Sequence, residues 1–230
     1  MRVVKAYKGI ALEGMLAAWY ARNTAKLHAD FKACAQQIAM RLPERARVLE
    51  VAPGPGYLAI ELARVGPYKI TGVDISRSFV RMATIYAQQA GVEVEFRQGD
   101  AAALPFADGS FDFVVCRAAF KNFSDPIGAL AETYRVLRSG GEALIIDMRN
   151  DATDMDIDTA VDDMHLDHVN AFLVRMTFKH MLRKRAYSSQ DFQAMVAATP
   201  FCKAEIETAL IGFNVWLKKQ YAEGSGASDE

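Results

Sequence analysis

Val48-Leu49-Glu50-Val51-Ala52-Pro53-Gly54-Pro55-Gly56 is a short apolar run carrying one acid, followed by a Pro/Gly turn. The helical run Tyr57 to Val65 starts directly after it. A strand, turn and helix in that order bare backbone N–H groups at a helix N-terminus, and glycines leave no side chain to hold a ligand away. A second apolar run, Lys69 to Val73, ends at Asp74, which lies 20 residues after Gly54. An acid so placed accepts hydrogen bonds from ribose hydroxyls. Together these residues predict a nucleoside-cofactor site.

Outward from that stretch, strands and helices alternate. Strand Arg47–Val51 leads into helix Tyr57–Val65, and strand Lys69–Val73 into a helix from about Ser78 to Ala90 that Gly91 closes. Val92, Val94 and Phe96 alternate as a third strand, and Phe111–Cys116 is a fourth. Asp125-Pro126 opens the next helix, and Ser139-Gly140-Gly141 turns the chain into a fifth strand, Glu142–Asp147. This rhythm implies a parallel sheet covered on both faces. Before it, residues from about Leu12 to Leu42 read as one helical stretch ending at Pro43. After it, residues 151–185 are too long for a simple loop and read as a helical cap. A helix from Ser188 then precedes two adjacent strand-like runs, Lys203–Leu210 and Ile211–Leu217, which predict an antiparallel hairpin. The fold class is therefore α/β, Rossmann-like and doubly wound, with a mostly parallel seven-stranded sheet, an antiparallel C-terminal hairpin and a helical cap. The expected division is one domain over residues 1–223: N-terminal helices 1–42, core 46–150, cap 151–185, helix and hairpin 188–217. A disordered tail is expected at 224–230.

Composition narrows the function. A net charge of −1 over 230 residues offers no basic excess for nucleic acid. The three cysteines are far apart and form no CxxC pair, which fits a reducing compartment and opposes a zinc site. The N-terminus has too little apolar sequence for a signal peptide, and no apolar run is long enough for a membrane helix. The expectation is a cytoplasmic protein with a small-molecule partner and no membrane or nucleic-acid partner, and no residues are assigned as metal ligands.

Gly54-Pro55-Gly56-Tyr57-Leu58-Ala59 also satisfies a relaxed dinucleotide pattern, so a nicotinamide or flavin enzyme stays open on those residues alone. Further motifs stand in order. Glu50-x-Ala52-x-Gly54-x-Gly56 is followed by Gln98-Gly99-Asp100-Ala101, then by Leu104-Pro105-Phe106-Ala107-Asp108-Gly109-Ser110-Phe111-Asp112, then by Val136-Leu137-Arg138-Ser139-Gly140-Gly141. Over residues 46 to 147 this order resembles the class I S-adenosylmethionine-dependent methyltransferases. Phe120-Lys121-Asn122-Phe123 is similar to the segment after the fourth strand in the ubiquinone/menaquinone C-methyltransferase branch. That family more often has Gly where this chain has Ala52, a change that is tolerated if φ there is negative.

The resemblance implies roles. Glu50, Ala52, Pro53, Gly54 and Gly56 would cradle the methionine moiety of S-adenosylmethionine. Asp74 would bind the ribose, with Ile75 under the adenine. Asp100 would accept from the adenine amino group, and Ala101 would help read the base edge. The backbone near Cys116 and Arg117 would meet the methionine end, and Tyr20 or Tyr7 would close over it. On the acceptor side, Lys121 and Asp147 stand beyond strand ends and are the candidate catalytic residues, the alternatives being a salt bridge from Asp147 to Arg149 or Lys121 and a plain surface position for Lys121. Two other readings stay open: a non-methylating enzyme using the same donor, and a non-catalytic domain that keeps the pocket. In the cap, His165 and His168 would share a helix face near Asp162. The acids from Asp151 to Asp158 and the bases from Lys179 to Arg185 suit helix dipoles. Phe172, Leu173 and Met176 read as core packing or as an apolar acceptor lining.

Overall fold

The apolar run that opens the motif is strand β1 (Arg47–Val51), and four of its five residues are buried, as befits a strand covered on both faces. The computed structural model describes residue 8 and residues 12–25 and 28–221. Tyr7 and the 224–230 tail lie outside them. The other strands are β2 (Lys69–Asp74), β3 (Val94–Gln98), β4 (Phe111–Arg117), β5 (Leu137–Met148), β6 (Glu205–Thr208) and β7 (Gly212–Lys218). Their order is β3-β2-β1-β4-β5-β7-β6. Strands β1 to β5 run parallel, while β7 is antiparallel to both β5 and β6. The chain winds outward from β1 to β3 and returns to β4 on the other side of β1. A crevice therefore opens at the carboxyl ends of β1 and β4.

Alternation along the strands feeds two cores. Leu49, Val114, Ile145 and Val215 point to one face, where Leu130 of α5 (Pro126–Val136) and Phe192 and Val196 of α8 (Ser189–Ala197) cover them. Val48, Val115, Leu144 and Trp216 point to the other, against Ile38 of α2 (His28–Ala39) and Leu58 and Leu62 of α3 (Tyr57–Val65). Helix α4 (Arg77–Ala90) is bounded by local chemistry. The Ser76 side chain accepts the Phe79 N–H at its start, and Gly91 takes φ +68 at its end.

The structure corrects the sequence reading in four places. The single helix expected from Leu12 to Leu42 is two, α1 (Gly14–Thr24) and α2. The Thr24 hydroxyl donates back to the Tyr20 and Ala21 carbonyls at 2.9 and 3.2 Å, the local competition that favours a helix end. Strand β5 starts at Leu137, and a register shift against β4 between Phe111 and Phe113 absorbs the glycine pair expected to turn the chain. The cap comprises α6 (Asp154–Asp162), α7 (His168–Thr177) and a π-turn over Phe178–Leu182. His165 falls in the turn between α6 and α7 at φ +49, so it shares no helix face with His168.

Finally, Phe172, Leu173 and Met176 are not core, being 60, 55 and 43% exposed. The cap closes instead on Ile157, Val161 and Ala171, with Val174 and Phe178 beside them, and that uses the other face of α7. Its acids and bases pair across the helices: Lys179 with Asp158 at 2.8 Å, Arg183 with Asp154 at 2.7 Å, and Arg175 with Asp162. Among the described residues no helix is long and apolar enough to cross a membrane.

Candidate functional site

The turn after β1 is bound to the tip of β2. Asp74 Oδ2 accepts the Gly54 N–H at 3.0 Å, and its Oδ1 accepts the Ser76 N–H at 2.8 Å. Gly54 and Gly56 both take positive φ, +54 and +82. They need glycine for different reasons. A Cβ on Gly56 would sit 2.8 Å from the Phe96 ring and 2.9 Å from Ala83, so that glycine serves the packing of helix on sheet. At Gly54 the nearest atom to such a Cβ is Tyr20 Cε1 at 3.8 Å, an ordinary van der Waals contact with the ring on α1, so there it is the positive φ that favours glycine. Ala52 has φ +57, not the negative value its methyl group called for, and its N–H donates to the Val73 carbonyl at 2.7 Å. That hydrogen bond holds an alanine in a conformation that favours glycine.

Burial governs the charges here. Glu50 is buried on the α2/α3 face, and its Oε2 has no hydrogen-bond partner. Burial pushes its pKa up to about 8, against the Ala59 N–H and the Arg117 guanidinium, which favour ionisation. Arg117 lies 4.4 Å from the centre of the Phe31 ring. The Asp74 pKa rises to about 6, again through burial first, although the Ser76 and Gly54 N–H groups oppose it. Asp100 is half-buried and accepts the Ala102 N–H through Oδ1, and Ile75 stands 38% exposed at the rim. Ala101 is half-buried against the α5/α8 core. Cys116 is buried, and its thiol is pushed well above the ordinary range, chiefly by burial.

Helix α1 closes this end. Ser76 Oγ donates to the Leu12 carbonyl at 2.9 Å, the Ser78 N–H donates to Glu13 Oε2 at 3.1 Å, and the Tyr20 ring meets Phe79 edge-on. Sequence reasoning placed Tyr20 but missed Glu13, Ser76 and Ser78. A serine ahead of the periodic run of α4 was the available signal.

Beyond β4 and β5 the two remaining candidates meet. Lys121 Nζ donates to Asp147 Oδ1 at 2.7 Å and to the Ala118 carbonyl at 2.6 Å, with both side chains buried. Asp147 also accepts the Lys121 N–H at Oδ2 and the Met148 N–H at Oδ1. Its carboxylate is thus committed, while the ammonium keeps one N–H to offer. Ala118, whose carbonyl anchors the lysine, has φ +59.

The strand tips of β1, β2 and β3 therefore present Glu50, Asp74 and Asp100. Two carboxylates, with Glu50 ready to ionise once a cation reaches it, suit a ligand with an ammonium, ribose hydroxyls and an amino group, and they would repel a pyrophosphate. S-adenosylmethionine has the former set. The orphaned Glu50 oxygen would suit its ammonium, and Gly54 places no side chain of its own against the ligand. Among the described residues no group of three or more His, Cys, Asp or Glu side chains could hold a metal ion.

Comparison with known proteins finds relatives by family and by fold. Residues 49–145 match the family model described as a methyltransferase domain. An uncharacterized methyltransferase of Bacillus subtilis, YcgJ, is 34% identical over 178 residues, 75% of this chain and 64% of its own length. A demethylmenaquinone methyltransferase of Thermus thermophilus is 40% identical over 102 residues, 44% of this chain and 46% of its own length. The chain thus spans less than two thirds of either relative. Among solved structures, one from Methanococcus maripaludis assigned to the S-adenosyl-L-methionine-dependent methyltransferases superposes with a TM-score of 0.76. It covers 96% of this chain and 100% of its own at 22% identity, a likeness of fold.

Proposed function

Residues 49–145 match the methyltransferase domain family, and we propose that this protein is a class I, S-adenosylmethionine-dependent methyltransferase that transfers a methyl group to a small aromatic or heteroaromatic acceptor. The observation that carries the donor half is the Gly54–Asp74 hydrogen bond at the switch point of the sheet, with the unpartnered Glu50 oxygen behind it. When bound, the donor supplies an already activated methyl on its sulfonium. What the chain must then contribute is position and dryness. Glu50 holds the ammonium of the methionine moiety, and the turn from Ala52 through Pro53 and Gly54 lies along its chain. Asp74 holds the ribose hydroxyls, while Ile75, Asp100 and Ala101 frame the adenine. The backbone at Cys116 and Arg117 borders the methionine end, and Tyr20 covers it from α1.

On the acceptor side Lys121 and Asp147 act together. The committed carboxylate fixes the lysine, and the remaining Lys121 N–H orients an acceptor oxygen toward the methyl. The aromatic class is supported by the relative named for demethylmenaquinone. The cap, which leaves β5 directly after Asp147, selects the acceptor. Three free thiols, at Cys34, Cys116 and Cys202, fit the reducing conditions of a cytoplasmic enzyme.

The test is an acceptor screen in which each aromatic candidate is incubated with donor and protein and read by mass spectrometry. A single added methyl, matched mole for mole by S-adenosylhomocysteine, is expected. Donor consumption that yields a rearranged product without added methyl would replace methyl transfer with other chemistry on the same donor.

A further inference from the structure

Lys8 and Tyr187 come from opposite ends of the chain and meet above the carboxyl ends of β4 and β5. The Lys8 N–H donates to the Asn122 carbonyl at 2.7 Å, which seats residue 8 on the 3-10 turn (Phe120–Asn122) that follows β4. Tyr187 is anchored beyond β5, where its carbonyl accepts the Asn150 N–H at 3.1 Å. Its ring packs against Phe120 and Phe192, with centroids 6.1 Å away in each case, so the hydroxyl is held on buried supports. Lys8 Nζ donates to Tyr187 Oη at 2.5 Å and lies 4.8 Å from the ring centre.

The charges at this end of the sheet do not balance around Lys8. Lys121 is neutralised by Asp147 at 2.7 Å, and Arg149 by Asp151 and Asp156 at 3.1 and 3.2 Å. Among the described residues no carboxylate stands within ion-pair distance of Lys8, which is half-buried. An ammonium has three hydrogens, and one is committed to Tyr187. The phenol, having accepted that hydrogen, still has its own to donate. A charged N–H and an O–H are thus available to one incoming oxygen, while Asp147, Asp151 and Asp156 are already paired.

We propose that Lys8 and Tyr187 form a subsite for an anionic oxygen carried by the acceptor's aromatic ring, so that the acceptor enters as a phenolate or enolate. This rests on the methyltransferase reading above and names its substrate class. Charge on the ring oxygen raises the nucleophilicity of the oxygen itself and of the carbons ortho and para to it. Either atom then attacks the methyl carbon as the carbon–sulfur bond breaks, with the electron pair leaving on sulfur. When a ring carbon is the nucleophile, its proton afterwards passes to solvent water, which restores the aromatic phenolate.

The experiment uses the full chain saturated with S-adenosylhomocysteine and titrated with three fluorescent probes: 2-naphthol, 2-naphthoate and 2-methylnaphthalene. The wild type should bind 2-naphthol about tenfold more tightly than 2-methylnaphthalene, with the preference growing as pH rises. Lys8→Met should abolish both the preference and its pH dependence, Lys8→Arg should keep them, and Tyr187→Phe should weaken 2-naphthol several-fold. S-adenosylhomocysteine affinity should be unchanged in all three variants. Equal affinity for 2-naphthol and 2-methylnaphthalene, or a preference that survives Lys8→Met, would overturn the subsite. A preference for 2-naphthoate alone would overturn the phenolate and leave a carboxylate site. Failure of the wild type to bind S-adenosylhomocysteine would remove the donor assignment, and this subsite with it.

Discussion

Ala52 sits at φ +57 and Ala118 at φ +59, one at the tip of β1 and the other just past β4. Both flank the crevice, and a left-handed backbone at an L-residue costs about 1–2 kcal/mol. Glycine would relieve most of this at Ala52, offset by about 0.4–1 kcal/mol of added freedom in the unfolded chain. Ala52→Gly should therefore raise stability by about 0.5–1 kcal/mol in urea unfolding. A loss of stability would mean that the methyl packs usefully where it is. Glu50 supports a pH prediction. Its folded-state pKa is raised to about 8 by burial, above the ordinary glutamate value of 4.5. The folded state therefore holds a proton that the unfolded chain has released, and the contribution of this group to stability falls as pH rises between those values. Glu50→Gln removes that dependence. Its melting temperature relative to wild type should climb from pH 5 to pH 8.5, and a flat difference would contradict the burial argument. The placement of Glu50, Asp74 and Asp100 at the ends of β1 to β3 was legible from motif position alone. The sign of φ at Ala52 was not, because the Val73 carbonyl that fixes it belongs to another strand.

At the scale of elements, the strands were legible because alternation and turn residues mark them locally. The ends of β5 were not, since its glycine pair reads as a turn unless the β4 register is known. The break between α1 and α2 was hidden in the same way, as helical spacing continues through it. In the cap the sequence showed a helical segment but not which face of α7 turns inward, because Ala171 and Val174 on one side and Phe172 and Met176 on the other are all apolar. That exposure makes the cap easy to test. Polar substitutions at exposed sites usually change stability by less than about 0.5 kcal/mol. Phe172→Ser and Met176→Ser should fold normally and bind donor as wild type, yet raise the acceptor KM several-fold if the stripe contacts the acceptor. Unchanged acceptor kinetics in steady-state assays would assign the stripe to another contact.

For the molecule as a whole, one sheet divides the labour. The tips of β1 to β3 gather Glu50, Asp74 and Asp100, the side proposed for the donor, and those of β4 and β5 gather Lys121, Asp147, Lys8 and Tyr187, the side proposed for the acceptor. The first half was readable because its residues lie in one run of motifs. The second was only half readable, since Lys8 and Tyr187 are 179 positions apart and meet only in the fold. The central claim, a donor held by the Gly54–Asp74 junction, is tested most directly by calorimetry on the purified chain. S-adenosylmethionine and S-adenosylhomocysteine should each bind at one site, with NAD silent. Asp74→Ala should weaken that binding by about 1.5–3 kcal/mol, the worth of a hydrogen bond to a charged group. Gly54→Val should weaken it at least as much, since a branched side chain resists positive φ and would crowd the Tyr20 ring and the donor. NAD binding without a response to S-adenosylmethionine, or full affinity in both variants, would contradict the account.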